Sequence, residues 1–126
     1  AKITPTLDAA ALCKMADRGQ ISGAILDGPL AFDNAISAEA ARIKGIDSPV
    51  SGDADILVLP DLESGNVAAK LLEYLAGAAS CGVVLGARVP IALTSRADGA
   101  ASRVASAALA AVVSRATLAA AAAAAP

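Results

Sequence analysis

The chain has 126 residues, a net charge of −2 and 56% apolar residues, but no histidine. That length suits one domain with a real hydrophobic core, while the missing imidazole excludes Ser–His and Cys–His nucleophilic catalysis and most zinc sites. A weakly acidic chain without a basic stripe or aromatic platform also argues against a nucleic-acid partner.

Much of the apolar fraction is alanine, with one Phe, one Tyr and no Trp, so a core has to come from Val, Ile, Leu and Ala. The opening AKITPTLDAAALCKMADRG is amphipathic rather than signal-like. Thr6 or Asp8 caps a predicted helix through Arg18, with Leu7, Ala11, Leu12 and Met15 on one face and Gly19 as its stop. Ser22 to Asp27 (SGAILD) reads as a short strand closed by Gly28-Pro29. Asp33 or Asn34 is expected to cap the next helix, and Phe32 to anchor packing. Ser37 to Lys44 reads as a short helix ended by Gly45, and Asp47 to Asp53, with Pro49 and Gly52, as a polar mobile loop.

Asp55 to Leu59 (DILVL) is a continuous apolar run, as expected of a strand buried on both faces. Pro60-Asp61-Leu62 turns the chain, Ser64-Gly65-Asn66 opens a helix to Tyr74 or Ala76, and Gly77 stops it. Cys81 to Leu85 (CGVVL) reads as another buried strand and Ile91 to Leu93 as a further short one. Thr94-Ser95 precedes a long alanine-rich helix from Ala100 to about Ala123, ended by Pro126, with a fraying polyalanine tail. Arg115 and the weak hydrophobicity of alanine favour a soluble helix over a membrane span. Cys13 and Cys81 are the two cysteines; without neighbouring ligand types, each reads as a small buried apolar residue in a reducing compartment.

Strands alternating with helices predict an α/β, three-layer αβα fold with a mainly parallel sheet. In such sheets ligands gather at the carboxyl ends of strands, where Asp27-Gly28, Pro60 to Asn66, Gly86 to Arg88 and Thr94 to Arg96 fall. Glu63-Ser64-Gly65-Asn66 suits an anion at a helix N-terminus, since glycine admits a ligand to the backbone and the dipole favours negative charge. A plain cap by Ser64 explains the same residues. The segment is neither a Walker loop nor a dinucleotide fingerprint. Thr94-Ser95-Arg96 offers two hydroxyls and a guanidinium whose planar fork matches phosphate; a cap plus a solvated arginine is the alternative. Asp98 reads either as a base or as a first-turn acid complementing the dipole. Asp53 and Asp55 read as a solvated turn, and no metal site is expected.

The segments DGPLAFDNAIS (Asp27 to Ser37), ADILVLPDLESGN (Ala54 to Asn66), KLLEYLAGA (Lys70 to Ala78) and VLGARVPIALTSRAD (Val84 to Asp98) resemble the C-terminal part of the phosphate acetyl/butyryltransferase family. The wording is especially similar to the phosphotransacetylase-like module fused behind a MaoC-type enoyl-CoA hydratase in some bacterial proteins. The resemblance covers nearly the whole chain except the alanine tail. It implies a cytoplasmic acyltransferase that converts acyl-CoA and phosphate into acyl phosphate and CoA. Coenzyme A is then a substrate, with no permanently bound cofactor and no membrane partner, and the chain is a homo-oligomer.

By the same resemblance Ser95 and Arg96 match the active-site Ser-Arg pair. Arg96 holds negative charge, Ser95 donates a hydrogen bond in the transition state, and Pro60, Asp61, Ser64, Gly65 and Asn66 line the cleft. Family enzymes with a catalytic aspartate place it six residues after the arginine, a place held here by Ser102. Asp98 is the nearby acid and the substitute base. The resemblance also implies a second-domain-like segment over residues 1–80 and a returning strand and helix over 81–126. The fold is then incomplete relative to the two-domain family fold, and the chain a C-terminal fragment. A non-catalytic α/β assembly module, or a module binding CoA or phosphate, is the alternative.

Overall fold

Proline in the first turn and glycine after the last set the limits of the first helix in the computed structural model, which describes residues 2–123. Helix α1 (Thr4–Asp17) carries Pro5 in its first turn after an extended Ile3, where a missing N–H costs nothing. It stops at Gly19, whose φ is +70° and whose N–H donates to the Ala16 carbonyl at 2.9 Å. The expected caps Thr6 and Asp8 lie inside this helix, which has no side-chain cap. The Leu7, Leu12 and Met15 face is exposed.

The chain divides into two compact units, Ala1–Leu62 and Glu63–Pro126. In the first, buried groups collect where helix α2 (Phe32–Ile36) meets helix α3 (Ala38–Ile43), at Asn34, Ala35 and Ala41. Ser37 makes the corner between them: its backbone is extended, and its hydroxyl accepts the Ala40 N–H at 3.2 Å. That bond supplies one of the partners a helix start lacks. Phe32, expected as a packing anchor, is 61% exposed, and Asp33 and Asn34 lie within α2 rather than before it. The Cys13 thiol, half-buried, contacts the Gly28 carbonyl at 3.6 Å. Burial, then the charges of Asp27 and Asp17, push its pKa up.

The Asp47 to Asp53 loop is pinned rather than free. Ser51 Oγ donates to the Asn34 carbonyl at 2.6 Å, and the Gly52 N–H donates to the Asn34 and Ala35 carbonyls at 3.0 and 3.1 Å. Gly52 is required there: its φ is +84°, and a Cβ would run into the Ala38 backbone.

The second unit is built on a hairpin. Helix α4 (Leu62–Leu75) leads to strand β1 (Gly82–Val84), which pairs antiparallel with strand β2 (Ile91–Leu93) in the register Gly82–Leu93, Val83–Ala92 and Val84–Ile91. Helix α5 (Ala100–Ala123) packs on both strands. The join is polar: fully buried Ser106 accepts the Gly82 N–H at 3.0 Å and donates to the Ser102 carbonyl at 2.8 Å. Gly82 also permits the close approach of the two strands, since a Cβ would lie 2.8 Å from the Leu93 carbonyl oxygen. Helix α5 is mostly exposed, and by length and composition alone it is long and apolar enough to cross a membrane. Pro126, the expected stop, lies outside the described residues.

The coarse α/β mixture is therefore present, but the sheet differs from expectation. Among the described residues it has two strands and is antiparallel. SGAILD and DILVL, expected as strands, are irregular, with Ile56 75% and Val58 82% exposed. A strand needs a neighbour for its N–H and C=O groups, and a doubly buried one needs cover on both faces. Neither run has a strand beside it among the described residues. CGVVL shortens to β1, part-buried rather than buried, and Cys81 is exposed.

Candidate functional site

The turn between β2 and α5 is locked by its own side chains. The Ser95 N–H donates to Asp98 Oδ2 at 2.7 Å, the Asp98 N–H returns to the Ser95 carbonyl at 3.2 Å, and the Ala97 N–H donates to Ser95 Oγ at 3.3 Å. Arg103, one turn into α5, clasps the loop from behind. Its Nε donates to the Asp98 carbonyl at 3.0 Å, and its Nη2 to the carbonyls of Ser95 and Arg96 at 3.1 and 3.2 Å. A guanidinium suits this because its donors sit in a rigid planar fork. Ser95 Oγ thus accepts from the backbone and keeps its own O–H to donate, since a hydroxyl carries one proton beside two lone pairs.

Helix α4 supplies the facing wall. Asn66, Lys70 and Glu73 recur at i, i+4 and i+7 and so share one helix face. Lys70 Nζ lies 2.6 Å from Glu73 Oε2, and Ser80 Oγ donates to Glu73 Oε1 at 3.1 Å. The ammonium also stands 5.6 Å from the Tyr74 ring centroid, within cation–π range. The Glu73 hydrogen bond outweighs the opposing effect of desolvation and, with the charges of Glu73, Tyr74 and Asp98 behind it, holds the Lys70 pKa above its ordinary value.

Between these two walls lies an open cleft of about 350 Å³ within the second unit, lined by Asn66, Lys70, Glu73, Ser80, Cys81, Thr94, Ser95 and Asp98 together with Ala69, Gly82 and Leu93. A second depression of about 370 Å³ runs along α4, walled mainly by Val67, Leu71, Tyr74 and Leu75. Beside Asn66, Lys70 and the Tyr74 phenol its wall is apolar and holds no carboxylate, so a cleft with both an acid and a serine hydroxyl is the better place for chemistry.

Of the residues singled out in the sequence, Asn66, Thr94, Ser95 and Asp98 meet in this cleft. Arg96 sits in the same turn with an exposed side chain outside the lining. Ser64 and Gly65 are half-buried in the first turn of α4, likewise outside the lining. That helix begins at Leu62, so Ser64 is not its cap and Ser64-Gly65-Asn66 do not form an open N-terminal mouth. Pro60 and Asp61 are exposed and belong to the first unit. Ser102, at the place of the family aspartate, gives its carbonyl to Ser106 and does not line the cleft, whereas Asp98 does. Arg88 lies in an exposed bend between the strands. Sequence reading passed over Lys70, Glu73 and Ser80. The i, i+4, i+7 polar stripe on an otherwise apolar helix was the available signal.

A hydroxyl, a carboxylate, an amide and an ammonium around one cleft suit transfer of an acyl or phosphoryl group, where developing charge needs donors and a proton needs an acceptor. Comparison with known proteins gives that chemistry a family. The model of the family described as phosphate acetyl/butaryl transferase matches residues 1–111, and the chain belongs to that family. It is 67% identical to a phosphate acetyltransferase of Rhizobium meliloti over 112 residues, which is 89% of this chain and 35% of the relative. It is 53% identical to a phosphate butyryltransferase of Clostridium beijerinckii over 108 residues, 86% of this chain and 36% of the relative. The crystal structure of a branched-chain phosphotransacylase from Enterococcus faecalis V583 superposes with a TM-score of 0.67 at 36% identity, over 81% of this chain and 36% of that one. The chain thus spans about a third of the length of the relatives it matches.

Proposed function

We propose that this chain carries the C-terminal portion of a phosphate acyltransferase site, acting on acyl-CoA and inorganic phosphate to give acyl phosphate and CoA. The observation that carries this reading is the meeting of Asn66, Ser95 and Asp98 in one cleft, in a chain whose family and relatives bear that activity in their names. In the direction of acyl-CoA synthesis, the CoA thiol loses its proton to a base and its sulfur attacks the carbonyl carbon of the acyl phosphate. The tetrahedral adduct then collapses, breaking the carbon–oxygen bond to release phosphate. Asp98, facing the cleft where Ser102 does not, is the base; Ser95 donates its O–H to the developing oxyanion. Arg96, on the turn held by Arg103, supplies charge to the phosphate as the rest of the site closes over it. Coenzyme A is a substrate here, with no resident cofactor.

The finer architecture belongs to the same reading. Residues 1–80 form the second-domain-like segment, and 81–126 return to the first. The exposed DILVL run is a strand of the three-layer, mainly parallel sheet once the remaining two-thirds of a full-length relative is present. The exposed apolar residues, Val58, Leu62 and Leu75 among them at 82%, 83% and 80%, favour assembly into a homo-oligomer, in the cytoplasm where bacterial acyl-CoA metabolism runs.

Thiol release from acetyl- or butyryl-CoA, measured with and without phosphate, tests the reading. Phosphate-dependent release that disappears in Arg96→Ala, with the fold kept, is the expected result. Undiminished turnover in that variant sinks the assignment. A second reading, a non-catalytic assembly module, rests on the same exposed apolar side chains. Oligomers by light scattering without thiol release would favour it.

A further inference from the structure

The one basic side chain lining the cleft, among the described residues, is Lys70 rather than Arg96. We propose that Lys70 is the cation that directly meets the phosphate group in this cleft, with Glu73 and Ser80 aiming it. The proposal deepens the acyltransferase reading and rests on it.

Four features support the assignment. Lys70 stands one helical turn beyond Asn66 on the same face, and both line the cleft opposite Ser95 and Asp98. An ammonium has three donors, and the single bond to Glu73 at 2.6 Å leaves two for an incoming oxyanion. Glu73 is itself anchored by Ser80 at 3.1 Å, so the long lysine stem is held in place before the ligand arrives, and less side-chain freedom remains to be lost on binding. Raised basicity from Glu73 keeps the ammonium charged throughout the neutral range. Arg103, by contrast, is committed to three backbone carbonyls.

The electrostatics carry a complication that the experiment must separate. Glu73 and Asp98 also face this space, so removing Lys70 both deletes a ligand and bares a carboxylate that repels phosphate. Titration of inorganic phosphate into the 126-residue chain, followed by phosphorus NMR, distinguishes these when Lys70→Met is paired with the neutral double variant Lys70→Met/Glu73→Gln. Loss of one charge-assisted contact should weaken binding about tenfold. The double variant should stay weak, and Lys70→Arg should stay within about threefold of the parent. Recovery of parental affinity in the double variant overturns the proposal, because Lys70 then only neutralises Glu73. Unchanged binding in Lys70→Met overturns it as well. Weakening in Arg96→Ala alone would do the same while leaving the acyltransferase reading intact. No phosphate binding by the parent overturns the proposal too, and the functional reading falls with it only if phosphate-dependent thiol release is also absent. Where Lys70→Met loses helical signal in circular dichroism, Lys70→Gln is the neutral variant.

Discussion

The two units solve the problem of a core without large side chains in different ways. In the first, the organising centre is the α2–α3 corner. There the backbone carbonyl of Asn34 takes bonds from Ser51 Oγ and the Gly52 N–H, and the surrounding burial is provided by alanine. In the second, a strand pair is covered by a long helix, and one buried hydroxyl, Ser106, joins them. Both are polar joints between elements with little apolar mass. The difference lies in what each joint frees. The first consumes its hydrogen bonds internally, whereas the second leaves Ser95, Asp98, Lys70 and Asn66 facing a shared cleft. A site needs several side chains whose partners are not exhausted by the fold; among the described residues the second unit gathers such a set around one cleft, whereas the first leaves the buried Asn34 Oδ1 without a partner.

The sharpest way to break that contrast is Gly52→Ala. The alanine would have to adopt positive φ and also displace the Ala38 backbone, a combined cost of about 3 kcal/mol. Hydrogen exchange should show amides around Asn34 and Gly52 losing protection while the Gly82 amide keeps its own. Equal loss in both regions would mean the two units unfold together. Ser106→Ala acts on the other side. It orphans the Gly82 N–H beneath α5, at a cost of about 2 kcal/mol, and a urea melt should shift to lower midpoint with the Gly82 amide exchanging faster. An unshifted melt would show that the buried hydroxyl is not what joins helix to hairpin.

The smallest effect concerns the first unit's surface. Lys44 Nζ lies 2.6 Å from Asp33 Oδ2, and this hydrogen bond, before the Coulomb attraction of Lys44 and the Asn34 and Asp33 amides, lowers the Asp33 pKa. A depressed carboxylate stabilises the folded state above its unfolded pKa of about 4, and that contribution is lost as pH falls through the lower folded value. Since the pair is half-exposed and easily screened, the melting temperature should fall only slightly more in the parent than in Asp33→Asn between neutral pH and about pH 3. Identical pH dependence in the two proteins would remove the pair from the account.

How much was legible in the residues depends on how local each signal is. Gly19, Gly45 and Gly77, all with positive φ, and Ser37 at its corner mark helix ends because a cap or stop is decided within one turn. The paired strands at Gly82–Val84 and Ile91–Leu93 were visible as short apolar runs, since each had a nearby partner. SGAILD and DILVL looked equally strand-like, yet pairing is decided by a neighbour outside the segment, and none lies beside them among the described residues. The site shows the same division. Ser95 and Asn66 stood out through their motifs, while no motif singled out Lys70 and Glu73 until the fold set them opposite Ser95.

The residues by themselves determined the family, the chemical repertoire and the glycine stops of the helices, because order of motifs, absence of histidine and a positive-φ glycine are properties of neighbouring positions. Only the tertiary structure decided that Asp98 rather than Ser102 faces the cleft, that Arg103 is spent on the turn, and that Lys70 is the cation inside it. Those outcomes depend on which atoms meet across the hairpin, α4 and α5, and a contact between elements distant in the chain is a consequence of packing that local residue preferences leave open.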